Sequence, residues 1–97
     1  MKTMYHATAY SNLFSIVDKG ILPGVDGIVY LADTSTDAMK FIAIRVIGEP
    51  ILVLEVAVDE NYLEETFDHS YSFFKARAWG YPSVIPWASV TNAWKFL

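Results

Sequence analysis

The sequence predicts a single domain, residues 1–97, that combines helices with strands. This length is enough for one hydrophobic core and too short for a second lobe. Hydrophobic residues are 54% of the chain and charged residues 19%, a composition typical of a chain that folds. Strand-like and helix-like segments alternate in the order βαβαβ, and further strands follow. Taken by itself, this order favours a parallel sheet, because parallel strands are joined through crossover helices.

The first strand is predicted at residues 4–8, where tyrosine and threonine favour extended backbone. His6 is then expected where that strand ends. Ser11 is suited to cap a helix over residues 12–19, in which apolar side chains recur at helical spacing. Gly20 is expected to end this helix in the left-handed conformation that glycine adopts readily.

A second strand, a second helix and a third strand are predicted between residues 28 and 58. Residues 28–32 are β-branched and apolar, and residues 33–37 are rich in helix-capping side chains and acids. The helix that follows has an apolar stripe. Ile51–Val58 is apolar on both alternating faces except at Glu55, so it predicts a core strand covered on both sides.

The rest of the chain predicts a surface turn and two more strands. Residues 59–66 are acidic and predict a helical turn at the surface. Residues 72–79 alternate as a strand does, and residues 80–83 predict a turn. Residues 89–97 predict a last strand.

Charge and cysteine content limit the partners and the compartment. The net charge is -4 and the sequence pI is about 4.9, so no long-range field attracts nucleic acid or anionic lipid. The absence of cysteine excludes disulfides, thiolate zinc sites and a thiol nucleophile. No apolar leader follows the N-terminus and no apolar run could span a bilayer, so a cytoplasmic protein without a membrane partner is expected.

His6 is the first candidate for a functional residue. A histidine at a strand end can hydrogen-bond a sugar hydroxyl or move a proton near neutral pH. A half-buried histidine satisfied by backbone is the simpler interpretation. The acids Glu64, Glu65 and Asp68 can supply a carboxylate from a loop, or form a solvated face. The spacing of histidines and carboxylates predicts no metal site.

Four short strings, taken in order, resemble the ADP-ribosyltransferase superfamily. They are Tyr5-His6-Ala7-Thr8, a helix ending in Gly20-Ile21-Leu22-Pro23, Val29-Tyr30-Leu31-Ala32, and Ile51-Leu52-Val53-Leu54-Glu55-Val56 followed by Asp59. The likeness covers most of the chain. It is closest in layout to the small bacterial and phage members, with a more distant likeness to the RNA 2'-phosphotransferases.

The resemblance implies an α+β fold, in which two small, mostly antiparallel sheets and two helices form a cleft that binds NAD. It replaces the parallel sheet suggested by the element order. It also implies roles for single residues: His6 resembles the histidine that holds the NAD ribose, and Thr8 the small hydroxyl residue beside it. Tyr30 resembles the aromatic residue that stacks on nicotinamide, and His6 and Tyr30 are therefore the catalytic candidates. The element order and the family layout imply that these two residues lie on neighbouring strands and face one cleft. The acceptor implied is a macromolecule, a protein rather than a nucleic acid.

The chain departs from this family at a late strand. Catalytic members carry a glutamate there, whereas residues 74–79 contain no carboxylate and place Arg77 instead, a group suited to a phosphate oxygen of NAD. NAD binding with slow or absent transfer is therefore expected. The alternative is a binding or inhibitor module that keeps the fold without catalysis and contacts a partner protein through Trp79, Tyr81 and Trp87.

Overall fold

Six strands and two α-helices make up the described part of the chain. In this computed structural model the described residues are 1–42, 48–66 and 78–96. The strands are β1 (Lys2–Ala9), β2 (Val29–Ala32), β3 (Ile51–Val58), β4 (Glu64–Thr66), β5 (Ala78–Tyr81) and β6 (Val90–Phe96). The α-helices are α1 (Leu13–Lys19) and α2 (Ser35–Ile42), and short 3-10 turns lie at Tyr10–Asn12, Glu60–Tyr62 and Trp87–Ser89.

The strands form one sheet in the order β4-β5-β2-β1-β3-β6, and every described pairing is antiparallel. The parallel sheet suggested by the element order is therefore wrong, and the antiparallel α+β class is confirmed. The physical reason is that strand direction is set by pairing between distant segments, such as the eight registered pairs of β1 with β3, and this pairing cannot be read from the order of the elements. The described strands form one sheet rather than the two that the resemblance implied.

β1 pairs extensively with one of its neighbours in the sheet and hardly at all with the other. Eight registered pairs connect β1 with β3, from Lys2–Val58 to Ala9–Ile51. A single pair, Tyr5–Ala32, connects β1 with β2. β1 and β2 make no further registered pair. The region where their pairing stops, between the half formed by β4, β5 and β2 and the half formed by β1, β3 and β6, is called the gap below.

The main core lies on one face of this sheet. Met4 pairs with Val56 and Leu54 lies opposite His6, and strand alternation places these residues on a common face. Ile16 of α1 packs against that face. The core cluster consists of Met4, Ile16, Ile21, Val29, Leu31, Leu52, Leu54, Val56, Val58 and Ile85. The prediction that Leu52, Leu54, Val56 and Val58 are buried is confirmed, since each is at most 3% exposed.

The other face is covered by α2, which packs against β1, β2 and β3. Ala38 of α2 and Val53 of β3 are buried. Ile51, Glu55 and Ala57 on the same face of β3 are only partly buried. The cover that Ile51–Val58 predicts is therefore complete on one face and partial on the other.

Patterns of neighbouring residues predicted most helices and strands correctly, but the cap assigned to α1 is wrong. The predicted end of α1 is confirmed, because Gly20 has φ 82°. Ser11 does not cap α1: it lies in a 3-10 turn and its hydroxyl donates to Glu49. β1 also continues past His6 to Ala9, because its pairing with β3 extends that far.

The later segments differ in part from their predictions. The helical turn expected in residues 59–66 is present, but Glu64–Thr66 then forms the edge strand β4. Gly80 and Tyr81, predicted as a turn, belong to β5, because they pair with Tyr30 and Val29. The last strand is confirmed over Val90–Phe96. Of the strand predicted at residues 72–79, only Ala78 and Trp79 lie within the described residues, where they begin β5.

Candidate functional site

His6 lies at the point where β1 and β2 separate. Its backbone still pairs with Leu54 of β3, but its imidazole Nδ1 lies 2.9 Å from the backbone oxygen of Tyr30 on β2. A carbonyl oxygen only accepts hydrogen bonds, so Nδ1 carries the proton and donates it. In the neutral ring Nε2 is then unprotonated, and it has no hydrogen-bond partner among residues 1–42, 48–66 and 78–96. The ring is held in one tautomer that leaves an acceptor available.

The electrostatics of this position keep the imidazole neutral. Desolvation lowers the pKa of His6 from its ordinary value of 6.5, and the hydrogen bond to the Tyr30 carbonyl opposes that shift only in part. A neutral ring with a free Nε2 can accept a hydrogen bond from a hydroxyl group. It can also take up a proton, although its lowered pKa makes it a weaker base.

A cavity of about 380 Å³ borders this gap. The residues that line it include Tyr5 from β1, Tyr30 from β2 and Phe41 from α2, although the ring of Tyr5 lies near that of Trp94 on β6, with 6.3 Å between the ring centroids. The loop before β2 closes one side, and His6 and Thr8 also line the cavity. This volume falls within the range of small-molecule sites.

His6 and Tyr30 reach this cavity from different directions. They lie on neighbouring strands, as predicted. The Tyr5–Ala32 pair and strand alternation place Tyr30 on the same face as Tyr5, and His6 on the opposite face. The two side chains therefore project from opposite faces of the sheet, which departs from the expectation that both face one cleft. Both still border the cavity.

Thr8 is placed beside His6, as the resemblance implied. Its Oγ1 accepts a hydrogen bond of 2.8 Å from Asn12 Nδ2. Thr8 and His6 also line a second cavity of about 220 Å³ that reaches Ser15 of α1. His6 and Thr8 therefore border both cavities.

Asp26 is a cavity residue that the sequence analysis did not single out. Its Oδ1 accepts a hydrogen bond of 3.1 Å from the backbone N–H of Ile28, and its Oδ2 accepts one from the Tyr30 hydroxyl. The Tyr30 hydrogen bond, supported by that of Ile28, lowers the pKa of the Asp26 carboxyl. The available signal was the Asp-Gly pair of residues 26 and 27, which predicts a turn and carries no information about the cavity.

Tyr5 is also held in place by a carboxylate. Its hydroxyl donates to Glu55 Oε2 at 3.1 Å, and Thr91 donates to Oε1 of the same carboxylate at 2.7 Å. Desolvation, together with this hydrogen bond and the negative charge of Glu55, raises the pKa of Tyr5. The ring that lines the cavity is therefore kept as a neutral phenol.

Two of the remaining predicted site residues, Glu64 and Glu65, do not line this cavity. Glu64 and Glu65 lie on β4 and line a separate cavity of about 130 Å³. Arg77 and Asp68 lie outside the described residues.

The aromatic side chains of the binding-module hypothesis have different surroundings. Trp79 donates its Nε1 proton to Asp33 Oδ1 at 3.0 Å. Tyr81 packs edge-on against Tyr62, with ring centroids 6.4 Å apart. Trp87 is 36% exposed. Two of the three aromatic residues are therefore engaged within the chain.

Two comparisons with known proteins found no match to this chain. No protein-family model matches this chain, and no curated protein matches it either. Within the described residues, no three histidine, aspartate or glutamate side chains cluster closely enough to hold a metal ion. Neither described α-helix has the length and apolar character needed to cross a bilayer.

Proposed function

We propose that this protein is ADP-ribosyltransferase-like, binds NAD in the cavity beside His6, and transfers ADP-ribose to a protein acceptor at a low rate. The observation that carries the proposal is the position of His6, whose ring bridges the gap between β1 and β2 with Nε2 left as an acceptor. The single pair between these strands also supports it. Two three-stranded halves on either side of a gap are compatible with the two-sheet cleft of that superfamily.

The cavity is suited to the nicotinamide ribose portion of NAD. A flat ring can pack against the aromatic side chains of Tyr30 and Phe41, which line the walls. Ribose hydroxyls donate hydrogen bonds, and the unprotonated Nε2 of His6 is an acceptor whose orientation is fixed by the Tyr30 carbonyl. Thr8 provides a second hydroxyl beside it.

These residues would contribute mainly by positioning. NAD supplies a ribose whose bond to nicotinamide breaks with the development of positive charge on the sugar. A fixed ring face and a fixed hydrogen bond to the sugar hold that ribose in one orientation, and such positioning lowers the barrier. The acceptor is proposed to be a protein, because a net charge of -4 gives no general attraction to nucleic acid.

The low rate is expected because the described cavity lining offers no carboxylate that is free to contact the ribose. Asp26 is the one carboxylate among the described residues that line the cavity, and its two oxygens are already engaged by Ile28 and Tyr30. A free carboxylate beside the ribose would stabilise the developing charge more directly. Losing one fixed interaction of this kind costs on the order of 10²-fold in rate.

An alternative function is a binding or inhibitor module that uses the fold without NAD. Exposed apolar side chains favour it, since Phe14 on α1 is 84% exposed and Trp87 remains partly exposed beside that helix. Exposed aromatic residues of this kind often anchor a partner protein. NAD binding separates the two functions, because the module needs none.

The test is calorimetric titration of NAD into the wild type and into His6→Ala and Tyr30→Ala. Both substitutions remove a cavity wall and are expected to lower the affinity, whereas Tyr62→Ala, outside the cavity, leaves it unchanged. Release of nicotinamide over hours measures turnover and is expected to be slow. Absence of binding heat at millimolar NAD would overturn the proposal and favour the binding module.

A further inference from the structure

We propose that the cavity beside His6 selects a positively charged aromatic ring over its uncharged counterpart, and that Asp26 determines this selectivity. The inference rests on the proposed function and narrows it: the ring would be the pyridinium of oxidised nicotinamide. It depends on three features of the described residues, namely the aromatic walls, the sign of the charge and the fixed position of the carboxylate.

The aromatic walls favour a cation. Tyr5, Tyr30 and Phe41 come from three different elements and line the same cavity. The face of an aromatic ring carries negative potential and attracts a cation positioned over it. The ring of Tyr5 lies near Trp94 and its hydroxyl donates to Glu55, so Tyr30 and Phe41 are the rings proposed to meet the ligand.

The described residues that line the cavity carry negative charge only. Among the described residues that line the cavity, Asp26 carries a carboxylate and none is a lysine or an arginine. His6 is kept neutral, because desolvation lowers its pKa. A cationic ring therefore meets an anion with no competing cation from these residues, and a phosphate group would be repelled at the same place.

The carboxylate is positioned before any ligand arrives. The backbone N–H of Ile28 and the hydroxyl of Tyr30 each hold one oxygen of Asp26. The same hydrogen bonds lower the pKa of this carboxyl, so Asp26 stays ionised at neutral pH. Tyr30 thus links the anion to one of the aromatic walls.

Exposure to solvent limits how strongly Asp26 attracts a cationic ring. Asp26 is exposed, so it borders the cavity where the cavity opens to water. Two unit charges about 4 Å apart in water attract each other enough to change a binding constant about fivefold. Salt is expected to reduce the effect, because exposed charges are screened.

The experiment compares NAD with NADH, since reduction adds a hydride to the nicotinamide ring, which removes its positive charge and its aromaticity and leaves the rest of the molecule unchanged. Calorimetry at low salt is performed on the wild type, on Asp26→Asn and on Asp18→Asn, which removes the same charge from the exposed surface of α1. Asp26→Asn is expected to weaken NAD binding about fivefold and to leave NADH binding nearly unchanged. Asp18→Asn is expected to change neither.

A second pair of probes tests the ring alone. The 1-methylnicotinamide cation and uncharged nicotinamide differ in charge but share the ring and its amide. The wild type is expected to prefer the cation, and Asp26→Asn to lose most of that preference. This comparison does not depend on the adenosine or the phosphates of NAD.

The outcomes separate this inference from the proposed function. If NAD and NADH bind the wild type equally well and Asp26→Asn alters neither, NAD binding stands and the selectivity by Asp26 is overturned. If Asp26→Asn weakens NAD and NADH equally, Asp26 acts only on the shape of the loop, and the inference again fails. If the wild type binds none of the four probes, both proposals are overturned.

Discussion

The Nδ1 atom of His6 lies 2.9 Å from the backbone oxygen of Tyr30, across the gap where β1 and β2 cease to pair. A side chain therefore occupies a place where a regular sheet would have a backbone hydrogen bond. This contact fixes the tautomer of the imidazole, and it connects the two halves of the sheet beside the cavity.

The stability of the fold should depend on the protonation of His6. Its folded pKa is lowered from 6.5, so the unfolded chain binds the proton more tightly. The contribution of His6 is fully present above about pH 6.5, and it is lost as the pH falls from there through the lower folded pKa. Thermal unfolding measured from about pH 7.5 down to about pH 5 should show the loss.

His6→Asn provides the comparison, because its amide can still donate to the Tyr30 carbonyl but does not titrate. The pH dependence of its stability should be smaller than that of the wild type. His69→Asn, which removes the other histidine of the chain, is the matched control. Identical pH profiles for His6→Asn and the wild type would show that His6 does not titrate in this range.

The hydroxyl of Tyr30 should control the acidity of Asp26. Its hydrogen bond is the main cause of the lowered pKa of the Asp26 carboxyl. In Tyr30→Phe that pKa is expected to rise toward the ordinary value of 3.8 for aspartate, because one of the two stabilising donors is lost. Titration of the side-chain carbonyl carbon by NMR measures the change. Tyr62→Phe should leave the Asp26 titration unaltered.

Leu54→Ala should destabilise the fold strongly. Leu54 is fully buried in the core cluster, so its truncation leaves a cavity and costs about 2–5 kcal/mol. Leu22→Ala is the matched control, because Leu22 is 55% exposed and loses little burial. Urea unfolding of both variants measures the difference. Equal stabilities for the two variants would mean that β3 does not carry the core.

Gly20→Ala should cost more stability than Gly27→Ala. Both glycines have positive φ, 82° and 78°, so each alanine meets a similar backbone penalty. A Cβ at Gly20 would in addition lie 2.7 Å from the backbone oxygen of Ile85, whereas nothing lies within 4 Å of one at Gly27. Chemical unfolding measures both, and a larger loss for Gly27→Ala would contradict this ranking.

Much of the local structure could be predicted from the sequence. Ile51–Val58 was predicted with its observed bounds, because an uninterrupted β-branched and apolar segment is stable mainly as a buried strand. Gly20 was placed correctly at the end of α1, because few other residues adopt positive φ without strain. The cap assigned to Ser11 failed, since the chain makes a 3-10 turn there and its hydroxyl reaches Glu49, which is distant in sequence.

The candidate site could be predicted only in part. His6, Thr8 and Tyr30 were chosen from a resemblance, and their NAD-binding roles remain a prediction. The structure places all three around one cavity. Asp26 was not found, because an aspartate before a glycine has the same pattern whether or not its carboxylate reaches a neighbouring tyrosine.

The sequence by itself determined most of the helices and strands and the buried face of β3. Periodicity and side-chain shape act over a few residues, so they can be read locally. Only the tertiary structure decided the antiparallel strand order, the gap between β1 and β2, and the meeting of Asp26 with Tyr30. The physical reason is that these contacts depend on the path of the chain between elements, which is set by the packing of the whole core.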